Sequence, residues 1–371
     1  MNVAIACGGT GGHLFPGLAV AQQLRREGHS VLLLVSKKDV DQHAFAFGKE
    51  YEVRRIPAIG LPSVKFSFAM LGFLLKLLVA IVKCQYLYMK HHTDVVLGMG
   101  GFTSAAAVFA AQLHLVPTVV HESNSIPGKA NRWAARFARS AACGLEECVG
   151  KFPEGKGVWT GTPVRDALVP IPKEDAVRRL GLDPEKPTVL VMGGSQGAEA
   201  INQAAMGAWP LIKKFNVIHL TGPADYQLAK DVYEGAGAPV VTMAFSNEME
   251  IAYSAADVVV SRAGAASLTE IAHYRLPNIL VPYPDATDDH QLRNAEIFER
   301  AGASHLLPQE KLNPQHLAAT IQNVWNNETK RTRMARKLES LDKPAATAEI
   351  VGLLKQAAKF EPVAQPKEAA A

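Results

Sequence analysis

VAIACGGTGGH, residues 3–13, joins five apolar residues to a turn of four glycines around Thr10 and ends on His13. A run that is apolar at every position suits a parallel strand buried on both faces. Glycine lets the backbone turn tightly and come close to a ligand, and the amides opening the next helix favour an anion. A ligand-free strand-to-helix turn has the same composition, so this stretch alone leaves both readings open. Its spacing is neither GxGxxG nor GxxxxGK[ST], which argues against a dinucleotide dehydrogenase and a P-loop NTPase.

The design returns as VLVMGGSQGA at residues 189–198. A third turn, SRAGAAS at residues 261–267, follows the apolar run 258–260. Further short apolar runs at 31–35, 95–97, 118–120, 188–192, 217–220, 240–243 and 278–281 read as strands with helices between them. That alternation predicts a doubly wound α/β fold, and its repetition predicts two similar domains. The break falls near GTPVR, residues 161–165, ahead of the Pro-rich stretch 170–172. The expected organisation is one domain over 1–163, a second over 164–340, a helix within 341–359 packing back toward the first, and a disordered tail over 360–371.

Length and composition agree. The 371 residues, 48% hydrophobic and 20% charged, suit two globular domains. A net charge of +4 is too mild to argue for nucleic acid. Cys7, Cys84, Cys143 and Cys148 show neither metal-ligand spacing nor a disulfide framework, which fits a reducing compartment. The N-terminus lacks a basic region before its apolar run and reads as a first strand rather than a signal peptide.

Polar groups cluster near the later turns. Glu270 lies one helical turn beyond Ser267, where a carboxylate can accept two ribose hydroxyls; a partner for the helix dipole is the plainer alternative. Residues 288–294, DDHQLRN, mix carboxylates, amides and an imidazole, which suits sugar hydroxyls that both donate and accept.

A different signal occupies the first half. Residues 66–82 are strongly apolar, interrupted by Lys76, and no acidic residue occurs from 54 to 92. Lys76, Lys83 and Lys90 recur every seven residues, so a helix places them near one face. The run is short for a span and carries a central charge, so it reads as an interfacial segment for an anionic leaflet, with Phe66 and Phe73 as apolar anchors. Arg132, Arg136 and Arg139 add a second basic stripe beside Trp133 and Phe137. Core residues beside a solvated basic face would give the same pattern.

Six motifs then occur in one order: GGTGGHLFPGLAVA at 8–21, GMGGFTSAAA at 98–107, HESNSIPG at 121–128, GGSQGA at 193–198, SRAGAASLTE at 261–270 and DHQLRNA at 289–295. Together, over residues 1–359, the chain resembles the MurG-type glycosyltransferases. The resemblance implies a GT-B architecture of two Rossmann-like domains facing across a cleft. It implies an inverting transfer of GlcNAc from UDP-GlcNAc to the muramoyl C4 hydroxyl of lipid I, giving lipid II, at the cytoplasmic face of the cell membrane. Cell-wall and division machinery are implied partners.

By the same resemblance, Arg165, Ser195, the backbone of Ala244 and Phe245, and Glu270 hold the uridine. Gly264, Ala265, Ala266 and Ser267 hold the diphosphate. His290 and Gln291 reach the GlcNAc, with Asn294 supporting their loop. Thr10, Gly11, Gly12 and Asn124 lie near the donor; Gly9, Thr10, His13, Gly101, Phe102 and Asn131 face the acceptor. Two positions depart from the pattern: Phe102 lacks the hydroxyl of the Tyr common there, and His290 stands where Gln is usual.

Inversion needs one displacement, a base for the attacking hydroxyl and stabilisation of the leaving diphosphate. His13 is the expected base, because imidazole titrates near neutrality. It can instead only hydrogen-bond the acceptor, with Glu122 as base. Helix N-termini offset the charge on UDP, so no metal is required and none is assigned ligands, although Mg2+ is compatible. Competing readings are a non-hydrolysing UDP-sugar epimerase, another GT-B enzyme with a different lipid acceptor, and a non-catalytic UDP-sugar-binding membrane scaffold.

Overall fold

The computed structural model describes residues 1–36, 51–57 and 68–359. Phe66 and the tail 360–371 lie outside the described residues. The chain forms two units. Among the described residues, the first comprises those within Met1–Glu122, Pro127–Pro163 and 345–359; the second comprises Ser123–Ile126 and Val164–Pro344.

In the first unit, β1 (Asn2–Ala6), β2 (Ser30–Val35), β3 (Glu52–Arg55), β4 (Val95–Gly98), β5 (Thr118–Glu122), β6 (Ser140–Cys143) and β7 (Gly157–Trp159) form one sheet. Its order is β3-β2-β1-β4-β5-β6-β7, and every pairing is parallel. Ile5 registers with Leu33 on one side and Leu97 on the other. Those three side chains are fully buried against Leu14 and Leu18 of the helix Gly11–Arg26. The helix Ala346–Ala357 adds Ile350 and Leu354 to the same core. Its Lys355 Nζ meets Glu27 Oε2 at 2.6 Å.

In the second unit, β8 (Thr188–Met192), β9 (Asn216–Leu220), β10 (Val240–Met243), β11 (Val258–Ser261), β12 (Asn278–Leu280) and β13 (His305–Leu306) form a sheet of order β10-β9-β8-β11-β12-β13. It too is parallel throughout. Val189, Val191, Val258 and Val260 pack under Ile201 and Ile321. Both sheets therefore have the doubly wound α/β form that the strand–helix alternation predicts.

Strand order reverses at β1/β4 in one sheet and at β8/β11 in the other. Ligands of open α/β sheets bind outside the carboxyl ends of the strands at such a reversal. The glycine turns leave those very strands: 8–12 after β1, 99–101 after β4, 193–197 after β8 and 262–264 after β11.

Four observed strands were not expected from the sequence. β3 carries charge on an edge, β6 is built of Ser, Ala and Cys, and β7 and β13 have three and two residues. A short or small-residue segment lacks the apolar run that marks a buried strand, and packing by its neighbours decides it instead.

Candidate active site

His13 stands in the first turn of the helix that opens at Gly11 and Gly12. Its Nδ1 shares a hydrogen bond of 3.1 Å with the hydroxyl of Thr10, the N-cap residue. The turns after β1 and β4 close around the ring. Gly100 and Gly101 have φ of +99° and +73°, and a Cβ on either would lie 3.1 Å from an imidazole nitrogen. Both glycines are thus fixed by backbone conformation and by the ring they face. Gly9, with φ of +93°, precedes this socket, and Phe102 follows it in the helix Gly101–Leu113.

Glu122 ends β5 and is buried. Its Oε2 accepts from the Gly128 amide and from Asn131 Nδ2, each at 3.0 Å. Asn131 Nδ2 also donates to His121 O at 2.9 Å. These bonds pin the turn between β5 and the helix Lys129–Ala134. His121 donates through Nε2 to Gly161 O, and burial lowers its pKa to about 4, so it is neutral.

The second unit gathers another set. The helix Ala265–His273 starts at Gly264 with no side-chain cap and no acidic residue in its first turn, so its opening amides have no partner within the helix. A Cβ on Gly264 would meet no atom within 4 Å beyond its chain neighbours, so the turn is not crowded at the Gly264 Cβ position. Ala265, Ala266 and Ser267 supply them. Further along, Tyr253 donates its hydroxyl to Glu270 Oε2 at 2.8 Å. Burial pushes the Glu270 carboxyl up, while the Arg165 guanidinium and the Tyr253 hydrogen bond pull it back. Ser195 lies in the turn after β8, and Ala244 and Phe245 follow β10, with Phe245 exposed.

The helix His290–Arg300 carries the polar cluster. His290 Nδ1 hydrogen-bonds Thr287 O at 2.7 Å, and Gln291 Oε1 accepts from the Tyr283 amide at 3.0 Å. Asn294 is fully buried. Its Nδ2 donates to Asn124 Oδ1 and Ala263 O, and its Oδ1 accepts from the amide and hydroxyl of Ser125. All of its hydrogen-bonding groups are used by protein, so it acts by holding loops. This clasp also explains why Ser123–Ile126 belongs to the second unit, although residues 1–163 were expected to form the first domain.

Sequence reasoning passed over a network beneath the turn after β8. Asn202 Nδ2 donates to Thr221 O and to Asp225 Oδ2, both at 2.7 Å. Its Oδ1 therefore accepts from His219 Nε2 at 3.0 Å, which leaves His219 Nδ1 to accept from the Tyr233 hydroxyl at 2.9 Å. Burial lowers the His219 pKa to about 4 and keeps it neutral. The network holds Thr221 O against Gly197, where a Cβ would come within 2.0 Å of that oxygen. A cavity of about 450 Å³ opens beside this turn, lined by Gly193, Gly197, Arg262, Tyr283, Gln291 and Gln309.

The glycosyltransferase family 28 N-terminal domain matches residues 3–143, and the family's C-terminal domain matches residues 188–350. The chain belongs to glycosyltransferase family 28. A family member from Halothermothrix orenii, named UDP-N-acetylglucosamine–N-acetylmuramyl-(pentapeptide) pyrophosphoryl-undecaprenol N-acetylglucosamine transferase, is 34% identical over 371 residues, covering 97% of this chain and all of that one. A protein of the same name from Hahella chejuensis is 36% identical over 351 residues, covering 94% and 95%. The crystal structure of Acinetobacter baumannii MurG superposes with a TM-score of 0.73 at 27% identity, covering 96% of this chain and 99% of that one. A UDP-N-acetylglucosamine 2-epimerase structure from Listeria monocytogenes, described there as putative, reaches a TM-score of 0.70 at 13% identity. That likeness shows a shared fold and carries no activity across. The family 28 match thus separates this chain from the epimerase that the two Rossmann-like domains also suggest.

Proposed function

We infer that this chain transfers GlcNAc from UDP-GlcNAc to the muramoyl C4 hydroxyl of lipid I, with inversion, to give lipid II. The observation that carries this is identity of about a third, over nearly the whole chain, to relatives named for that transfer. The second unit takes the donor: Glu270 and Arg165 beside the ribose and base, the opening amides after Gly264 at the diphosphate, and Gln291 at the sugar. The first unit takes the acceptor, with His13 receiving the proton of the attacking hydroxyl. Glu122 suits this role less, because its Oε2 already accepts two hydrogen bonds that shape the neighbouring turn. The helix amides offset charge on the departing UDP. Purified protein given labelled UDP-GlcNAc and a lipid I analogue should form the disaccharide product. Conversion of UDP-GlcNAc to its 2-epimer, or transfer only to another lipid, would overturn the reading.

The first unit also supports attachment to an anionic membrane surface on the cytoplasmic side. The helix Phe68–Lys90 has two apolar faces. Ile81, Cys84 and Leu87 are buried against the sheet and Ala80 against Ala106 of the neighbouring helix, whereas Leu71, Leu75, Leu78 and Val82 are each more than half exposed. Lys76, Lys83 and Lys90 are exposed along one flank of that outward stripe. The stretch Met70–Lys90 is long and apolar enough to cross a membrane by length and composition. Its packing against the helix Gly101–Leu113 favours lying in the interface instead. Phe73 is half-buried against Ala80 and Ala106, so the leucines are the stronger anchors. Trp133 and Phe137 are exposed, with ring centroids 5.6 Å apart, and Arg136, next to Phe137 in sequence, is exposed as well. Each lysine near an anionic surface contributes about 1 kcal/mol. Replacing Lys76, Lys83 and Lys90 with Ala should therefore weaken binding to phosphatidylglycerol vesicles by about 100-fold or more. Unchanged sedimentation with such vesicles would remove the lysines from the attachment.

A further inference from the structure

Arg262 belongs to the third glycine turn, yet no binding role falls to it above. Its side chain is only 8% exposed. Nη1 donates to both Val281 O and Pro282 O, each at 3.1 Å, and the guanidinium lies 5.3 Å from the centre of the Tyr283 ring. Residues 281–283 are the exit from β12, where regular strand pairing ends and Pro282 has no N–H to give. A planar guanidinium can bond two successive carbonyls through one nitrogen while its face lies over the next ring, and a lysine ammonium, which can donate to carbonyls, has no planar face to lay there.

The segment so held places the Tyr283 amide, which donates to Gln291 Oε1 at 3.0 Å. A glutamine amide can flip and offer either its oxygen or its NH2. Here a backbone N–H can only donate, so Oε1 must face it, and Nε2 is left for the cavity that Arg262, Tyr283 and Gln291 line.

We propose that Arg262 is a positioning residue that fixes the polarity of Gln291, so that Gln291 offers N–H donors to a lone pair of a donor-sugar hydroxyl. This rests on the reading of the second unit as the UDP-sugar site. The sugar contact is then specific for a hydroxyl acting as acceptor, and the nucleotide contacts lie elsewhere.

The test compares UDP-GlcNAc with UDP, which lacks the sugar. For Arg262→Lys and for Gln291→Ala, the UDP-GlcNAc KM should rise about tenfold or more while the UDP inhibition constant stays within about threefold. The double variant should be no worse than Gln291→Ala alone. Gln291→Glu keeps an acceptor for the Tyr283 amide and removes both donors, so it should show the same split. It decides the polarity of Gln291 whether or not Arg262→Lys folds. A normal UDP-GlcNAc KM in Gln291→Glu, a UDP constant that rises in step with KM, or additive losses in the double variant would each overturn the proposal. Wild-type protein that neither turns over UDP-GlcNAc nor binds UDP in calorimetry would instead overturn the donor-site reading itself.

Discussion

His13→Ala should lower kcat by about 10²–10⁴-fold, the usual contribution of a positioned general base, with the UDP-GlcNAc KM changed only a few-fold. The geometry is that of a ring held for a task. Thr10 fixes one edge at 3.1 Å, and two glycines with positive φ face the ring so closely that a Cβ on either would press on it at 3.1 Å. Packing a loop would not require both. His13→Asn separates base from mere hydrogen-bond partner, because an amide can hydrogen-bond the acceptor and cannot take its proton. If His13→Asn keeps kcat within tenfold while Glu122→Gln loses it, the two roles are exchanged. Thr10→Val should act in the same direction and more weakly, since it frees the ring without removing it. Single-turnover rates at saturating donor are the measurement.

The glycine turns were legible because their composition follows from backbone geometry. A turn that must take φ above zero leaves little choice but Gly, as at Gly100 and Gly101 beside the His13 ring and at Gly197 against the backbone of Thr221. The long buried strands were legible for a similar reason: two covered faces require an unbroken apolar run, as in β1 and β8. What escaped depends on partners far along the chain. Arg262 lies within a motif, yet its two carbonyl acceptors are 19 and 20 residues away. Asn294 was expected, through the resemblance alone, to support its loop; its partners Asn124 and Ser125 escaped, because they are 170 and 169 positions earlier. Asn202, His219 and Tyr233 stand on three elements, a helix after β8, β9 itself and the helix after β9, and meet only in the folded chain. A polar residue inside an apolar run, such as His219 in NVIHL, is the one local sign of such a network. A buried polar group must find a partner, so His219 signals that one exists and not which.

Glu270→Ala should raise both the UDP-GlcNAc KM and the UDP inhibition constant by about 10²-fold or more, with a smaller effect on kcat at saturating donor. Hydrogen bonds to a charged acceptor contribute about 1.5–3 kcal/mol each, and two ribose hydroxyls would be lost. The change also removes the stronger acceptor of the Tyr253 hydroxyl, whose residue is only 1% exposed, and leaves it the Met192 sulfur at 3.6 Å. A thioether is a weak acceptor, so part of the cost of about 1–3 kcal/mol for an unsatisfied buried donor remains, and the melting temperature should fall as well. Glu270→Gln keeps an oxygen for Tyr253 and serves as the control for that loss. Comparison with 2′-deoxy-UDP makes the role specific: wild-type protein should prefer UDP, and Glu270→Ala should bind the two alike. Equal preference in the wild type would show that the carboxylate does not read the ribose. The pH dependence supplies a second check. Burial raises the Glu270 pKa, so its carboxylate is lost at a less acidic pH than an ordinary glutamate's. If ionised Glu270 accepts the ribose hydroxyls, UDP affinity should fall as pH drops through that raised value, and the preference over 2′-deoxy-UDP should fall with it. A preference that persists unchanged well below the ordinary glutamate range would mean that another group distinguishes the two nucleotides.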